Sequence, residues 1–213
     1  MEHQQNVEQY IELHSSPELP ILSKIYRETN VKFLNPRMVS GHIQGMLIAM
    51  LSKMINPGLI LEIGTFTGYS AICLAQGLKP EGKLHTIEIN DEISPVAHGY
   101  FVEAGLEKKI IEHVGDARKI IPLLNLNFDL IFIDGEKREY PEYFNICTGF
   151  LKPGGYLLAD NVLWNEKIID PNFKDDPTTQ AIITFNKFVR DGKRLENLIL
   201  PIRDGLTIAR KKL

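Results

Sequence analysis

Leu61-Glu62-Ile63-Gly64-Thr65-Phe66-Thr67-Gly68-Tyr69-Ser70 reads as a strand that runs into a glycine turn and on into a helix. Leu59–Ile63 is the strand, Gly64 and Gly68 mark the turn, and Tyr69–Leu78 is the helix that follows. Glycine lets the backbone turn sharply and lets a ligand come close, while the first N–H groups of the helix stay free to meet acceptor atoms. Gly64, Thr65, Phe66 and Gly68 are therefore candidate ligand contacts, although a bare strand-to-helix turn would use the same residues. The spacing is G-x-x-x-G, not the G-x-G-x-x-G of a pyrophosphate turn, and the Glu62 carboxylate would repel a pyrophosphate. A carboxylate there suits an amino group or a sulfonium cation, which favours S-adenosylmethionine over a nicotinamide dinucleotide.

Outward from this turn the alternation repeats. Leu84–Ile89, Ile110–Val114, Asp129–Ile133 and Tyr156–Ala159 read as strands, and Asp91–Ala104, Ala117–Leu124 and Tyr140–Leu151 as the helices between them. Strands joined through helices run parallel, with both sheet faces covered. The unbroken apolar runs LILEIG and LIFID agree, because a strand buried on both faces shows no polar alternation. A helix over Thr178–Arg190 is followed by Leu195–Leu200 and Leu206–Ala209, and the Asp204-Gly205 turn between those runs predicts an antiparallel hairpin. Two or three helices come first, roughly Glu18–Glu28 and Val39–Ile55, and are expected as a cap over the sheet's carboxyl edge. The expected fold is α/β and Rossmann-like, one domain over 1–213 with a cap at 1–56 and a core at 57–213.

Composition limits what such a site serves. The chain has 213 residues, with 24 basic and 27 acidic side chains and a formal charge of −3. At roughly 150 residues per domain this is one domain. With 44% hydrophobic and 24% charged residues it is neither disordered nor fibrous. The longest apolar stretch, around Gly45–Leu51, falls short of the ~20 residues of a bilayer span. The opening MEHQQNVEQY lacks the order of a signal peptide, so a cytoplasmic location is expected. Cys73 and Cys147 sit in apolar stretches and read as buried thiols. His42, His85, His98 and His113 show no metal-ligand spacing, and no basic excess points to nucleic acid.

The ends of the later strands carry acids. Glu88 closes the second strand about twenty residues past the turn, where a carboxylate can accept both ribose hydroxyls of a nucleoside. In Gly115-Asp116-Ala117, Asp116 can accept from an adenine amino group, or can serve as a helix N-cap. The fourth strand ends at Asp134 and the fifth at Asp160-Asn161. Neighbouring parallel strands bring these ends together, and two carboxylates with one amide are hard oxygen ligands for Mg²⁺, Mn²⁺ or Ca²⁺. Helix caps and loop acids would leave the same spacing.

LEIGTFTGYSA, GDA, FDLIFIDGEKREY, LKPGGYLLADNVLW and PIRDGLTIARKK together resemble the cation-dependent O-methyltransferase family. That family includes catechol O-methyltransferase, the plant caffeoyl-CoA enzymes and small bacterial relatives. The resemblance runs from about Val39 to the C-terminus. It implies a seven-stranded sheet of the class I methyltransferase type, S-adenosylmethionine as methyl donor, and a homodimer. Through the IDGEK match it implies that Asp134 is a metal ligand beside the methyl donor, and Lys137 falls on the family's catalytic lysine. ADN supplies the other metal ligands, Asp160 and Asn161. Val39, Glu62, Gly64, Ser70, Glu88 and Ala117 fall on cofactor-contacting positions. Bacterial relatives often read D-A-D-K where this chain has Asp134-Gly135-Glu136-Lys137, so a difference in shape is expected beside the lysine.

The implied reaction is methyl transfer to a hydroxyl of a small catechol-like acceptor. A phenolic hydroxyl has a pKa near ~10, and two adjacent oxygens can chelate a cation that stabilises the oxyanion. Lys137 takes the proton if burial and the cation depress its own pKa from ~10.4. Some bacterial relatives instead methylate a hydroxylated wobble uridine of tRNA. Lys108, Lys109, Arg118, Lys119, Lys137, Arg138 and the Arg210-Lys211-Lys212 tail are the candidate phosphate contacts for that reading. A nicotinamide-dependent oxidoreductase is disfavoured by the turn, and an N/D-P-P-Y amino-methyltransferase by ADNVLW. Asn30–Arg37 and Val162–Pro177 are expected at the mouth of the site, and Trp164 reads equally as acceptor-pocket wall or as packing.

Overall fold

The computed structural model describes residues 2–213. Three helices come first: α1 (Glu2–His14), α2 (Pro20–Lys32) and α3 (His42–Ile55), with a 3-10 turn at Pro36–Met38. The alternating part follows as β1 (Leu59–Ile63), α4 (Tyr69–Ala75), β2 (Lys83–Glu88), α5 (Ser94–Glu103), β3 (Ile110–Val114), α6 (Ala117–Leu124), β4 (Phe128–Ile133), α7 (Tyr140–Phe150) and β5 (Leu151–Ala159). Helix α8 (Pro177–Asp191) leads into β6 (Leu195–Leu200) and β7 (Leu206–Lys211). The seven strands form one sheet in the order β3-β2-β1-β4-β5-β7-β6. Strands β1 to β5 pair in parallel, while β7 is antiparallel to both β5 and β6.

Period-two alternation with both faces buried explains the continuous apolar strands. Ile60, Leu130, Phe132 and Leu158 pack to one side with Leu22, Ile25, Ile48 and Phe101, while Leu61, Ile131, Ile133 and Leu157 pack to the other with Ile121, Tyr140 and Phe185. The first side is thus covered by α2, α3, α4 and α5, the second by α6, α7 and α8. This corrects the expected placement of the cap. Helices α2 and α3 lie on a face of the sheet, and their connecting segment reaches the carboxyl edge. Pro36–Ile55 is long and apolar enough to cross a bilayer, but Gly41 breaks it at φ 78° and α3 packs on α4 and β4.

Strand boundaries move where glycine misleads. Strand β5 begins at Leu151, not at Tyr156, because Pro153-Gly154-Gly155 is absorbed as an irregularity in the pairing with β4 between Phe128 and Leu130. Cys73 and Cys147 are free and buried.

The register positions the site. Ile63 pairs with Ile87 and Ile133, and Ile133 with Ala159, so Ile87, Ile63, Ile133 and Ala159 form one row across four parallel strands. The next row is Glu88, Gly64, Asp134 and Asp160, and the ladder continues into it through Gly64 N–H to Ile87 O (2.9 Å), Asp134 N–H to Ile63 O (2.8 Å) and Asp160 N–H to Ile133 O (3.0 Å). The chain leaves β1 towards β2 and leaves β4 towards β5 on the opposite side, and open α/β sheets hold ligands at such a reversal.

Candidate active site

A cleft of about 1460 Å³ opens over that row. It is walled by the turn after β1, the ends of β2 to β5, the 34–41 connector, the 161–166 loop and the β6–β7 turn. Val39, Gly64, Thr65, Phe66, Ser70, Glu88, Asp116, Ala117, Asp134, Lys137, Asp160 and Asn161 all line it. Glu62 and Gly68 do not. Gly68 has φ 81°, and a Cβ there would stand 2.5 Å from the Phe101 ring, so it serves packing. Gly64, at φ 97°, is held to glycine by the Asp134 carbonyl, which a Cβ would strike. The close approach made possible by Gly64 is between two strand ends, and it draws Asp134 against the turn.

Glu62 is fully buried behind the turn. Thr65 Oγ1 lies 2.5 Å from Thr86 Oγ1, and Thr86 donates to Glu62 Oε2 at 2.6 Å. Glu62 Oε1 has no hydrogen-bond partner. Burial pushes the Glu62 pKa up to about 8, with Asp134 and Glu88 adding repulsion. A cationic ligand beside the turn would relieve it. On β2, Glu88 accepts from the N–H groups of Phe66 (2.8 Å) and Asn90 (2.9 Å), which shapes the turn. Asp116 caps α6 and is gripped by the Arg118 guanidinium at 2.9 Å, the N-cap alternative of its sequence reading.

Past β4 lies the charged centre. Lys137 Nζ donates to Asp134 Oδ1 at 2.7 Å and to the Tyr140 hydroxyl at 2.9 Å. Tyr140 is fully buried, and its hydroxyl donates to the Asp160 carbonyl at 2.9 Å. Burial raises the Asp134 pKa to about 6, and the neighbouring Asp160 charge adds to the rise, against the pull of Lys137. Burial alone would lower the Lys137 pKa, yet Asp134 and Tyr140 overcome it and hold the amine protonated. With Asp134 free to pair, Lys137 is a charged donor; the depression expected from the sequence belongs to a site in which a cation occupies Asp134.

Asp160 is 3% exposed. Its Oδ1 accepts from the Asn161 N–H at 2.8 Å and its Oδ2 from Gln44 Nε2 at 2.6 Å. Asn161 sits at φ 57° and begins an unusual loop in which Trp164, Asn165 and Glu166 are also left-handed, at φ 50°, 50° and 61°. Such residues are each strained, and the loop is held from outside: Leu163 N–H donates to the Asp204 carbonyl (2.9 Å), Asn165 N–H to Asp204 Oδ1 (2.5 Å) and Asn186 to Val162 O (2.9 Å). Trp164 lines the cleft, with Lys167 over its ring at 5.5 Å. Gln44 joins the site without any sequence signal, being an ordinary polar residue far in the chain from Asp160, while Tyr140, Arg203 and Asp204 lie within motifs of the resemblance but carried no assigned role.

Among the described residues no three His, Cys, Asp or Glu side chains come together as a cation cage. The donor set fits a hard cation only when the Asn161 amide is counted with Asp134 and Asp160.

A sequence model of the O-methyltransferase family matches residues 12–212. The chain belongs to that family. Caffeoyl-CoA O-methyltransferase 1 of Nicotiana tabacum is 31% identical to this O-methyltransferase over 95% of its chain and 90% of the relative. The structure of the Streptomyces achromogenes O-methyltransferase TomG, involved in tomaymycin synthesis and solved in complex with SAM, is similar at a TM-score of 0.91 and 30% identity, with both chains covered in full. An O-methyltransferase from Bacillus cereus in complex with SAH gives 0.90 and 28%, with 97% of each chain covered. These likenesses agree with the seven-stranded Rossmann-like fold and place the cleft in an O-methyltransferase.

Proposed function

We propose that this O-methyltransferase moves the methyl group of S-adenosylmethionine to one hydroxyl of a small acceptor with vicinal oxygens, such as a catechol, and that it needs a divalent cation, Mg²⁺ first. The observation that carries the reading is the single row Glu88, Gly64, Asp134, Asp160 with Asn161 and Lys137 at its edge. Eight carboxylates line the cleft against three cationic side chains, a balance that favours a sulfonium donor and a divalent ion over phosphate.

The ion would be held by Asp134, Asp160 and Asn161, and would supply Lewis-acid stabilisation of an acceptor oxyanion. Every other role falls to the chain. The β1 turn and Glu88 would seat the nucleoside, with Glu62 behind the turn ionising once a cationic donor lies beside it. Lys137 points a charged N–H at the space over Asp134, where it can orient and stabilise an acceptor oxygen. It can accept a proton only where Asp134 is committed to another positive charge. Trp164 and the 34–41 connector close the acceptor side and hold the two reactants at attack distance.

Calorimetric titration of S-adenosylmethionine into metal-stripped protein, followed by transfer assays on a catechol and on a monophenol with Mg²⁺, tests the reading. Binding with turnover of the catechol alone is expected. Equal turnover of the monophenol would contradict the vicinal-oxygen requirement, and absence of binding would contradict the donor.

A further inference from the structure

Gln44 is 1% exposed and lies on α3, in the helical layer that covers one face of the sheet. Its side chain joins two things remote from each other in sequence. Nε2 donates to Asp160 Oδ2 at 2.6 Å, and Oε1 accepts from Arg203 Nη1 at 2.9 Å. Only this orientation of the amide satisfies both neighbours, because a guanidinium cannot accept and a carboxylate cannot donate. Arg203 stands in the β6–β7 turn at φ 47°. The same Nη1 also donates to the carbonyls of Val39 (3.0 Å) and Ser40, and Nη2 donates to that of Arg37 (3.2 Å). One guanidinium therefore gathers the connector that rims the cleft, and hands the last link to Asp160 through a neutral amide.

The neutrality matters. An arginine in direct contact would cancel the Asp160 charge, whereas the amide fixes one carboxylate oxygen and leaves the anion intact. Asn161 N–H fixes the other oxygen, so the rotation of this carboxylate is set from two sides.

We infer that Gln44, keyed by Arg203, is a positioning residue that sets the Asp160 carboxylate for its ligand, so that the 37–40 connector and the charged centre act as one coupled unit. This rests on the proposed cation role of Asp160. It also assigns the helical layer a part in the chemistry beyond covering the sheet.

The test is a double-mutant cycle with Gln44→Met, which keeps the volume and loses the hydrogen bonds, and Arg203→Met, which lies on an exposed turn and spares the core. Mn²⁺ binding by electron paramagnetic resonance, calorimetric S-adenosylmethionine binding and melting temperature are read for each. Expected are about tenfold weaker Mn²⁺ binding in Gln44→Met, a several-fold loss in Arg203→Met, and a double variant no weaker than Gln44→Met, with the melting temperature of Arg203→Met close to wild type. Should Gln44→Met fail to fold, Arg203→Met alone must still weaken Mn²⁺. Unchanged Mn²⁺ affinity in the variants, or losses that add in full, would overturn the coupling while leaving the proposed function standing. A wild-type protein that binds no Mn²⁺ would overturn the cation reading itself, and this inference with it.

Discussion

Lys137 illustrates how a contact decides a charge. Its ammonium is paired at 2.7 Å with Asp134 and supported by Tyr140, so it is a fixed donor beside the acids. Replacing it with Met is expected to lower methyl transfer by about 10²- to 10⁴-fold and to leave S-adenosylmethionine affinity nearly unchanged, as measured by single-turnover assay and calorimetry. Glu62 makes a second prediction at the same scale. Its pKa rises from 4.5 to about 8 on folding, because burial opposes its charge. The folded state thus holds a proton that the unfolded state releases across that window. Stability of the ligand-free protein should fall between pH 4.5 and 8, by at most about 1.4 kcal/mol per pH unit from this group. Urea unfolding at a series of pH values, with Glu62→Gln flattening the slope, checks it.

At the scale of elements, the strand ends were legible and the supports were not. An apolar run followed by an acid is enough to place Asp134, Asp160 and Glu88, because a strand buried on both faces must end where polarity begins. The β6–β7 hairpin was legible from Asp204-Gly205 for a similar local reason. Gln44 lies 116 residues from Asp160 and 159 from Arg203, and no local pattern encodes such a meeting. The face packing of α2 and α3 was hidden too, since an amphipathic helix says that it covers something and not what. Gly64→Ala is expected to destabilise by about 3 kcal/mol, since it combines a positive φ with collision against the Asp134 carbonyl, and to depress activity through displacement of Asp134. Thermal unfolding and transfer assays of that variant decide it. Strands β2 and β3 carry a further pH effect. His85 Nδ1 and His113 Nε2 are 3.0 Å apart, and burial lowers both pKa values, with mutual repulsion adding at His85. The unfolded state takes up these protons more readily, so stability should be lost as pH falls below 6.5. His113→Gln, which keeps a hydrogen bond without titrating, should soften that loss in the same urea series.

For the whole molecule, sign of charge separates the acceptors. The cleft is acidic, and most of the basic residues that would meet a phosphate backbone are engaged within the chain. Arg118 pairs with Asp116, Glu139 and Glu142, Arg210 pairs with Glu196, and Lys211 donates to the carbonyls of Thr148 and Leu151. A gel-shift titration with unmodified tRNA is therefore expected to show no salt-sensitive complex at micromolar protein. Cation-dependent transfer to a vicinal-oxygen acceptor is tested by transfer of labelled methyl from S-adenosylmethionine to a catechol by chelator-treated protein, with and without added Mg²⁺. Turnover is expected to appear with Mg²⁺ and to be lost again in Asp160→Ala. Full turnover in the presence of chelator would contradict it.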